Sequence, residues 1–269
     1  MIYTLLIVIV VGAILETCLI MRRRIFRSRA RFILAGANRR QDFGDTKLLE
    51  NLPEPVRRYL KRALPEELSV LRTARLRYDG FFRTSLEGKW EKIRGEQYIS
   101  GIHPGFVWKG RTKLFSAVDS FIENKGNLSV WLFSALPIVN KGGPDIDHAE
   151  VLRWLAEGAL VPSNLLPSEN LQWLVVNESS AIITYTFRQR MFSLLVRFNT
   201  HNEIISVEGK RPYDNKGLQQ WKGTFSNYKS IGGHYVPTAL EACWIIDGVE
   251  KPYARFTVSQ LEFNASAMF

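Results

Sequence analysis

The chain has 269 residues, of which 46% are hydrophobic and 12% aromatic, and a formal charge of +10. That apolar content excludes a disordered chain, and the length suits one large domain with an added segment better than two full domains. Eight arginines between Arg22 and Arg40, with no acid among them, carry most of the charge; about +2 remains without them, too little for the basic face of a nucleic-acid-binding domain.

The first element is the apolar run Ile2 to Met21, IYTLLIVIVVGAILETCLIM. A helix of that length rises about 30 Å, the thickness of a hydrocarbon core, so residues 1–21 are expected to form a transmembrane helix. No basic residue precedes the run and no small-x-small site follows it, which argues against a cleaved leader. Glu16 and Thr17 before Cys18 do not suit a lipoprotein acylation box. Glu16 is the one charge in the span and is expected at the headgroup level.

Residues 22–48 read as a basic stem. Arg22, Arg23, Arg24, Arg27, Arg29 and Arg31 are expected to meet anionic headgroups, while Ile25, Phe26, Ile33 and Leu34 face lipid or protein. Because the arginines follow the helix, the positive-inside rule predicts an inner-membrane protein with a cytoplasmic domain.

The domain is expected over 49–269. Asp45 is read as capping a short turn through Leu49. Pro55 starts a helix with Val56, Tyr59, Leu60 and Ala63 on one face and Arg57, Arg58, Lys61 and Arg62 on the other. From Val70 the period changes to two. Strand-like runs are punctuated by turn signals such as Asn124-Lys125-Gly126-Asn127, Asp214-Asn215-Lys216-Gly217 and Asp247-Gly248. About ten strands with short loops predict one large antiparallel sheet that must curl to bury its apolar face. A single helix near 147–157 interrupts the strands, with Asp147 and Glu150 as a capping-box-like pair and Gly158 as its stop. The predicted class is mainly β with α: a curved half-barrel holding a central helix.

The strings LPEPVRRYL (Leu52 to Leu60), HPGFVW (His103 to Trp108), EVLRWLAEGALVPSNLLPS (Glu150 to Ser168) and WKGTFSNYKSIGGHYVP (Trp221 to Pro237) resemble an uncharacterised bacterial family of unknown function. The resemblance runs from Leu49 to the end and brings no catalytic residues with it. It implies a shape similar to the curved sheet of the LolA/LolB lipoprotein carriers. Those carriers act outside the cytoplasm, whereas the arginines predict an inside domain.

The chemistry-bearing residues are few. His103, His148, His201 and His234 show no metal-ligand spacing, and Cys18 and Cys243 are too far apart in environment to pair. A nucleophile elbow and phosphate-cradling glycine loops are absent. No cofactor or metal is expected. Glu150, Arg153 and Glu157 share a helical face and form, with Arg211, a candidate polar network, either an ion-pair brace or a polar floor. Phe106, Trp108, Trp131, Phe133, Trp154, Trp221 and Tyr253 are candidates to line a site for a lipid or other apolar small molecule. The apolar stretch Leu128 to Val139, with Pro137 near its end, reads as a cavity lip or a membrane-dipping segment rather than an ideal strand. These readings favour a membrane-tethered binding protein. The alternatives are a protein-interaction scaffold with a plugged cavity, or, less favoured, an enzyme using Glu150 or Glu157.

Overall fold

A computed structural model describes residues 2–38, 46–65, 70–213 and 217–269. The expected cap at Asp45, the arginines Arg39 and Arg40, and all but Gly217 of the Asp214–Gly217 turn lie outside them. The chain begins with α1 (Ile2–Leu34), and α2 (Glu54–Ala63) follows. Six strands come next: β1 (Thr73–Phe82), β2 (Glu91–Ser100), β3 (Phe106–Arg111), β4 (Phe115–Ile122), β5 (Lys125–Leu132) and β6 (Leu136–Gly142). Then α3 (Pro144–Ala156) and two short 3-10 turns, Glu157–Leu160 and Pro162–Leu165, lead to the second run of strands. These are β7 (Leu171–Asn177), β8 (Ser180–Phe187), β9 (Arg190–Phe198), β10 (Ile204–Pro212), β11 (Leu218–Ile231), β12 (His234–Ile246) and β13 (Val249–Phe263).

All the strands join one 13-stranded sheet in the order β6-β5-β4-β3-β2-β1-β13-β12-β11-β10-β9-β8-β7. Each ladder is antiparallel, so the sheet is two hairpin meanders zipped together by β1 and β13. This order fixes where the central helix goes. β6 and β7 are the two edges of the sheet, and the segment between them must travel from one edge to the other. It does so across the inner face, and α3 touches β4, β5 and β6 on one side and β9 and β10 on the other. The curl is also visible in Phe121 of β4 and Phe187 of β8, far apart in strand order, whose rings lie 5.8 Å apart.

Two apolar clusters sit on opposite faces of the sheet. The inner one joins Val56, Tyr59 and Leu60 of α2, Leu152, Trp154 and Leu155 of α3, and strand residues such as Leu76, Phe106 and Val207. The outer one joins Phe26, Ala30, Ile33 and Leu34 of α1 with Tyr98, Val107 and Val118. The C-terminal residues Met268 and Phe269 pack against this outer cluster, and the Phe269 N–H donates to the Tyr98 hydroxyl at 3.2 Å.

Two expectations change here. The stretch Leu128 to Val139 is a β-hairpin of β5 and β6, turning at Phe133 and Ser134, both left-handed with φ 50° and 65°. Pro137 is tolerated because β6 is an edge strand. Second, α3 starts at Pro144 after Gly143, whose φ of 98° suits glycine, so Asp147 lies inside the first turn. Its carboxylate accepts the Gly126 N–H at 2.6 Å, which ties α3 to the start of β5 instead of forming a capping box with Glu150. Among the described residues no helix is long and apolar enough to cross a membrane. The side chains of Ile7, Val8 and Val11, which belong to the run on which the expected span rests, are outside the described set.

Candidate functional site

Alternation along β4 sends its side chains to two different places. Ala117, Asp119 and Phe121 point inward, toward α3; Ser116, Val118 and Ser120 point outward, toward α1. The inward Asp119 is the centre of a buried charge cluster. Arg153 of α3 donates to Asp119 at 2.6 Å and to Glu157 at 2.8 Å. Its guanidinium also lies over the rings of Phe106 (4.7 Å) and Trp108 (5.5 Å). Glu157 in turn accepts a hydrogen bond from the Gln97 amide, and Gln97 accepts one from the Tyr78 hydroxyl at 2.8 Å.

Glu150 is only 4% exposed, and its Oε2 has no hydrogen-bond partner. Burial pushes its pKa well above the usual carboxylate range, and the nearby Asp119 pushes the same way. Asp119 is also raised, by burial first, although Arg153 and Arg211 pull it down. For Arg153, burial alone would lower the pKa, but Glu157, Asp119 and Glu150 together hold it well above its ordinary value. The charge count explains this. Three carboxylates (Asp119, Glu150 and Glu157) face two guanidiniums (Arg153 and Arg211), and this buried excess of acid keeps Glu150 and Asp119 raised. Such a cluster braces α3 against the sheet.

The structure divides the expected aromatic lining among four places. Phe106, Trp108 and Trp154 are buried under or within α3, and the Trp154 Nε1–H donates to the Ser100 carbonyl at 3.1 Å. Trp221 and Tyr253 meet at one end of the sheet, where the indole N–H donates to the Tyr253 hydroxyl at 3.0 Å and Arg211 lies 4.9 Å from the Trp221 ring. Trp131 is on the outer face, half-buried, with Arg22 5.7 Å from its ring. Phe133 stands at the β5–β6 turn, 64% exposed. Trp131 and Phe133 are therefore not part of an inner lining with the others. A groove of about 380 Å³ lies on the outer face, lined by Asp79, Phe81, Thr224, Glu241 and Arg255, and not between α3 and the sheet.

Trp221 and Tyr253 belong to an aromatic rim. Phe82 ends β1 and touches both Phe115 (6.2 Å) and Tyr253 (6.1 Å); Trp244 stacks on Tyr253 (6.1 Å) and meets Tyr213 (4.6 Å). Phe82, Tyr213, Trp244 and Tyr253 remain partly exposed. Phe115 faces this rim, while the next residue, Ser116, faces outward and accepts a hydrogen bond from Arg22. The rim and the place where α1 leaves the domain are thus at the same end of β4.

The stem arginines divide in the same way. Arg22 and Arg29 are half-buried against the sheet, and Arg29 donates to Ser120 at 2.9 Å and to Asn127 at 3.1 Å. Burial lowers the pKa of both, and Arg111 and Arg23 lower Arg22 further. These two engage protein where headgroup contact was expected, whereas Arg23, Arg24, Arg27 and Arg31 stay exposed. Among the described residues no group of three His, Cys, Asp or Glu could hold a metal ion. Asp119 was missed in the sequence. Its only signal was an acid in the run FSAVDSFI at a position whose same-face neighbours, Ala117 and Phe121, are apolar.

A family model described as "Family of unknown function (DUF6920)" matches residues 50–263. No curated protein matches the chain. Among solved structures, the chain is similar to a LolA superfamily protein from Nitrosomonas europaea, at 13% identity and a TM-score of 0.45, over 77% of this chain and 91% of that one. It is also similar to a domain described as outer membrane lipoprotein-sorting, from Vibrio parahaemolyticus, at 15% identity and a TM-score of 0.41, over 81% of this chain and 94% of that one.

Proposed function

The chain belongs to the DUF6920 family of unknown function, and for this member we propose a membrane-tethered, non-catalytic role in which the aromatic rim takes an apolar ligand, a lipid before others. The tether is the run Ile2–Met21, long and apolar enough in sequence to span a bilayer. The arginines that follow it argue for an inner-membrane protein with its domain in the cytoplasm. The observation that carries the reading is the shared end of β4: Phe115 faces the rim while Ser116 holds Arg22, so a bilayer at the foot of α1 lies next to partly exposed rings. Flat apolar rings suit acyl chains.

A second reading is favoured by how α2, α3 and the 3-10 turns fill the inner face: a protein-interaction scaffold whose cavity is plugged. An enzyme working through Glu150 or Glu157 has less support, because Glu157 is held by Arg153 and Glu150 is buried. Purification of the full chain, followed by mass spectrometry of extracted lipid and tryptophan fluorescence during lipid titration, separates the readings. A stoichiometric lipid and a fluorescence change lost in Trp244→Ala support the first. A lipid-free protein with no fluorescence response supports the scaffold. A C-terminal reporter that is active only in the cytoplasm tests the orientation.

A further inference from the structure

The tips of two neighbouring turns carry apolar side chains that the fold does not use. Leu114, in the β3–β4 turn, is 45% exposed, and Phe133, Leu136 and Ile138 of the β5–β6 hairpin are 64%, 48% and 57% exposed. The two tips form one surface, since the Phe133 N–H donates to the Leu114 carbonyl at 2.6 Å. Basic residues flank it: Arg111 at the end of β3, Lys113 in the turn, and Arg22 of α1, which shares its charge field with Arg111.

The height of this surface along α1 follows from the contacts. Arg22 reaches Ser116 and Arg29 reaches Ser120, so α1 and β4 run in the same direction. Leu114 lies two residues beyond Ser116 toward the helix N-terminus, roughly 6 Å of strand, which corresponds to about four residues of helix. Helical side chains lean toward the N-terminus, which moves Ser116 itself in that direction. The tips therefore stand level with Cys18 or beyond it, inside the run Ile2–Met21. The sheet-facing stripe of α1 agrees, because Cys18 and Leu15 are half-buried while Ile9, Val10 and Ile14 are exposed.

We infer that Leu114, Phe133, Leu136 and Ile138 insert into the bilayer surface beside the anchoring helix, with Arg111, Lys113 and the exposed stem arginines at the headgroups. This inference rests on the tethered reading and makes it more specific: the domain does not hang from a free stem but is seated on the membrane with its aromatic rim toward it. Apolar side chains at the interface with basic residues around them are the composition that binds anionic lipid surfaces.

The test uses the full chain in liposomes of phosphatidylcholine and phosphatidylglycerol, in a Cys18→Ser, Cys243→Ala background. Single cysteines replace Phe133, Leu114, Ile9 or Val175, and each carries an environment-sensitive fluorophore read against nitroxide-labelled lipids. Val175 is 71% exposed on β7, at the other edge of the sheet. The expected result is strong quenching at 9, 114 and 133, at least threefold above that at 175. Quenching at 9 with positions 114 and 133 no different from 175 would overturn the insertion while leaving the tether standing. No quenching at 9 would overturn both.

Discussion

Arg153 and Asp119 are 34 residues apart in the chain and joined by a 2.6 Å ion pair whose side chains are 17% and 12% exposed. The bond locks the helix that crosses the inner face to the strand that bears the rim at one end. Because Arg153 also holds Glu157, its loss would leave two buried carboxylates without a cation of their own. Arg153→Met is expected to destabilise the fold by about 3–5 kcal/mol. Adding Asp119→Asn and Glu157→Gln to Arg153→Met should recover a large part of that, since only Arg211 and Glu150, opposite in charge, then remain of the set. Chemical denaturation of the detergent-solubilised chain measures both. A single variant within about 0.5 kcal/mol of wild type would mean the cluster is not a brace.

The pH dependence should be dominated by Glu150. Its pKa in the folded chain lies well above the ordinary 4.5, by burial and then by Asp119, against the pull of Arg211 and Arg153. Between 4.5 and that raised value the folded chain holds a proton that the unfolded chain has released. The stabilising contribution is therefore full below about pH 4.5 and declines as pH rises, by at most about 1.4 kcal/mol per unit for this group. Asp119, raised by burial, adds a slope of the same sign. Glu150→Gln keeps the shape and cannot ionise, so its advantage over wild type should grow from pH 5 to pH 8. Parallel stability profiles for the two proteins would sink the assignment.

Gly95 should be intolerant of even a methyl group. It pairs across the strands with Tyr78, whose ring occupies the space above it; a Cβ on Gly95 would fall 1.9 Å from a ring carbon. The Tyr78 hydroxyl is the start of the chain through Gln97 to Glu157 and Arg153. Gly95→Ala must push the ring aside and is expected to cost about 1–3 kcal/mol, with a changed near-ultraviolet dichroism from the displaced tyrosine. An unchanged spectrum and melting temperature would show that the ring can move freely.

Strands were readable wherever alternation and turn chemistry agreed. Asp247 and Gly248, for example, adopt left-handed φ of 51° and 77° between β12 and β13, as the dipeptide predicts. The β5–β6 hairpin was not readable, because Phe133 and Ser134 take the same conformation without glycine or asparagine, and an edge strand with a proline looks like a loop. The inward position of Glu150, Arg153 and Glu157 could be suspected from helical spacing. Asp119 could not, because its partner is set by how the sheet curls, a property of the whole strand order. The stem shows the same limit. Phe26, Ala30 and Ile33 make an evident stripe, yet spacing does not say whether lipid or the back of a sheet covers it.

The docking of α1 on the outer face gives the last prediction. Phe26 is 3% exposed, tilted against Tyr98 at 6.0 Å, with the Lys109 ammonium 4.1 Å from its ring. Arg29 adds hydrogen bonds to Ser120 and Asn127. None of these residues enters the inner cluster, so removing them should loosen the strut without unfolding the sheet. Phe26→Ala removes contacts worth about 3–5 kcal/mol in a buried site, and with Arg29→Ala the helix should lose most of its hold. Hydrogen exchange of the full chain is expected to accelerate at least tenfold over 23–34 and along outward-facing β3 and β4, while α3 and β10 stay protected. If exchange in α3 accelerates equally, the two faces are one cooperative unit and α1 is part of the core rather than a strut.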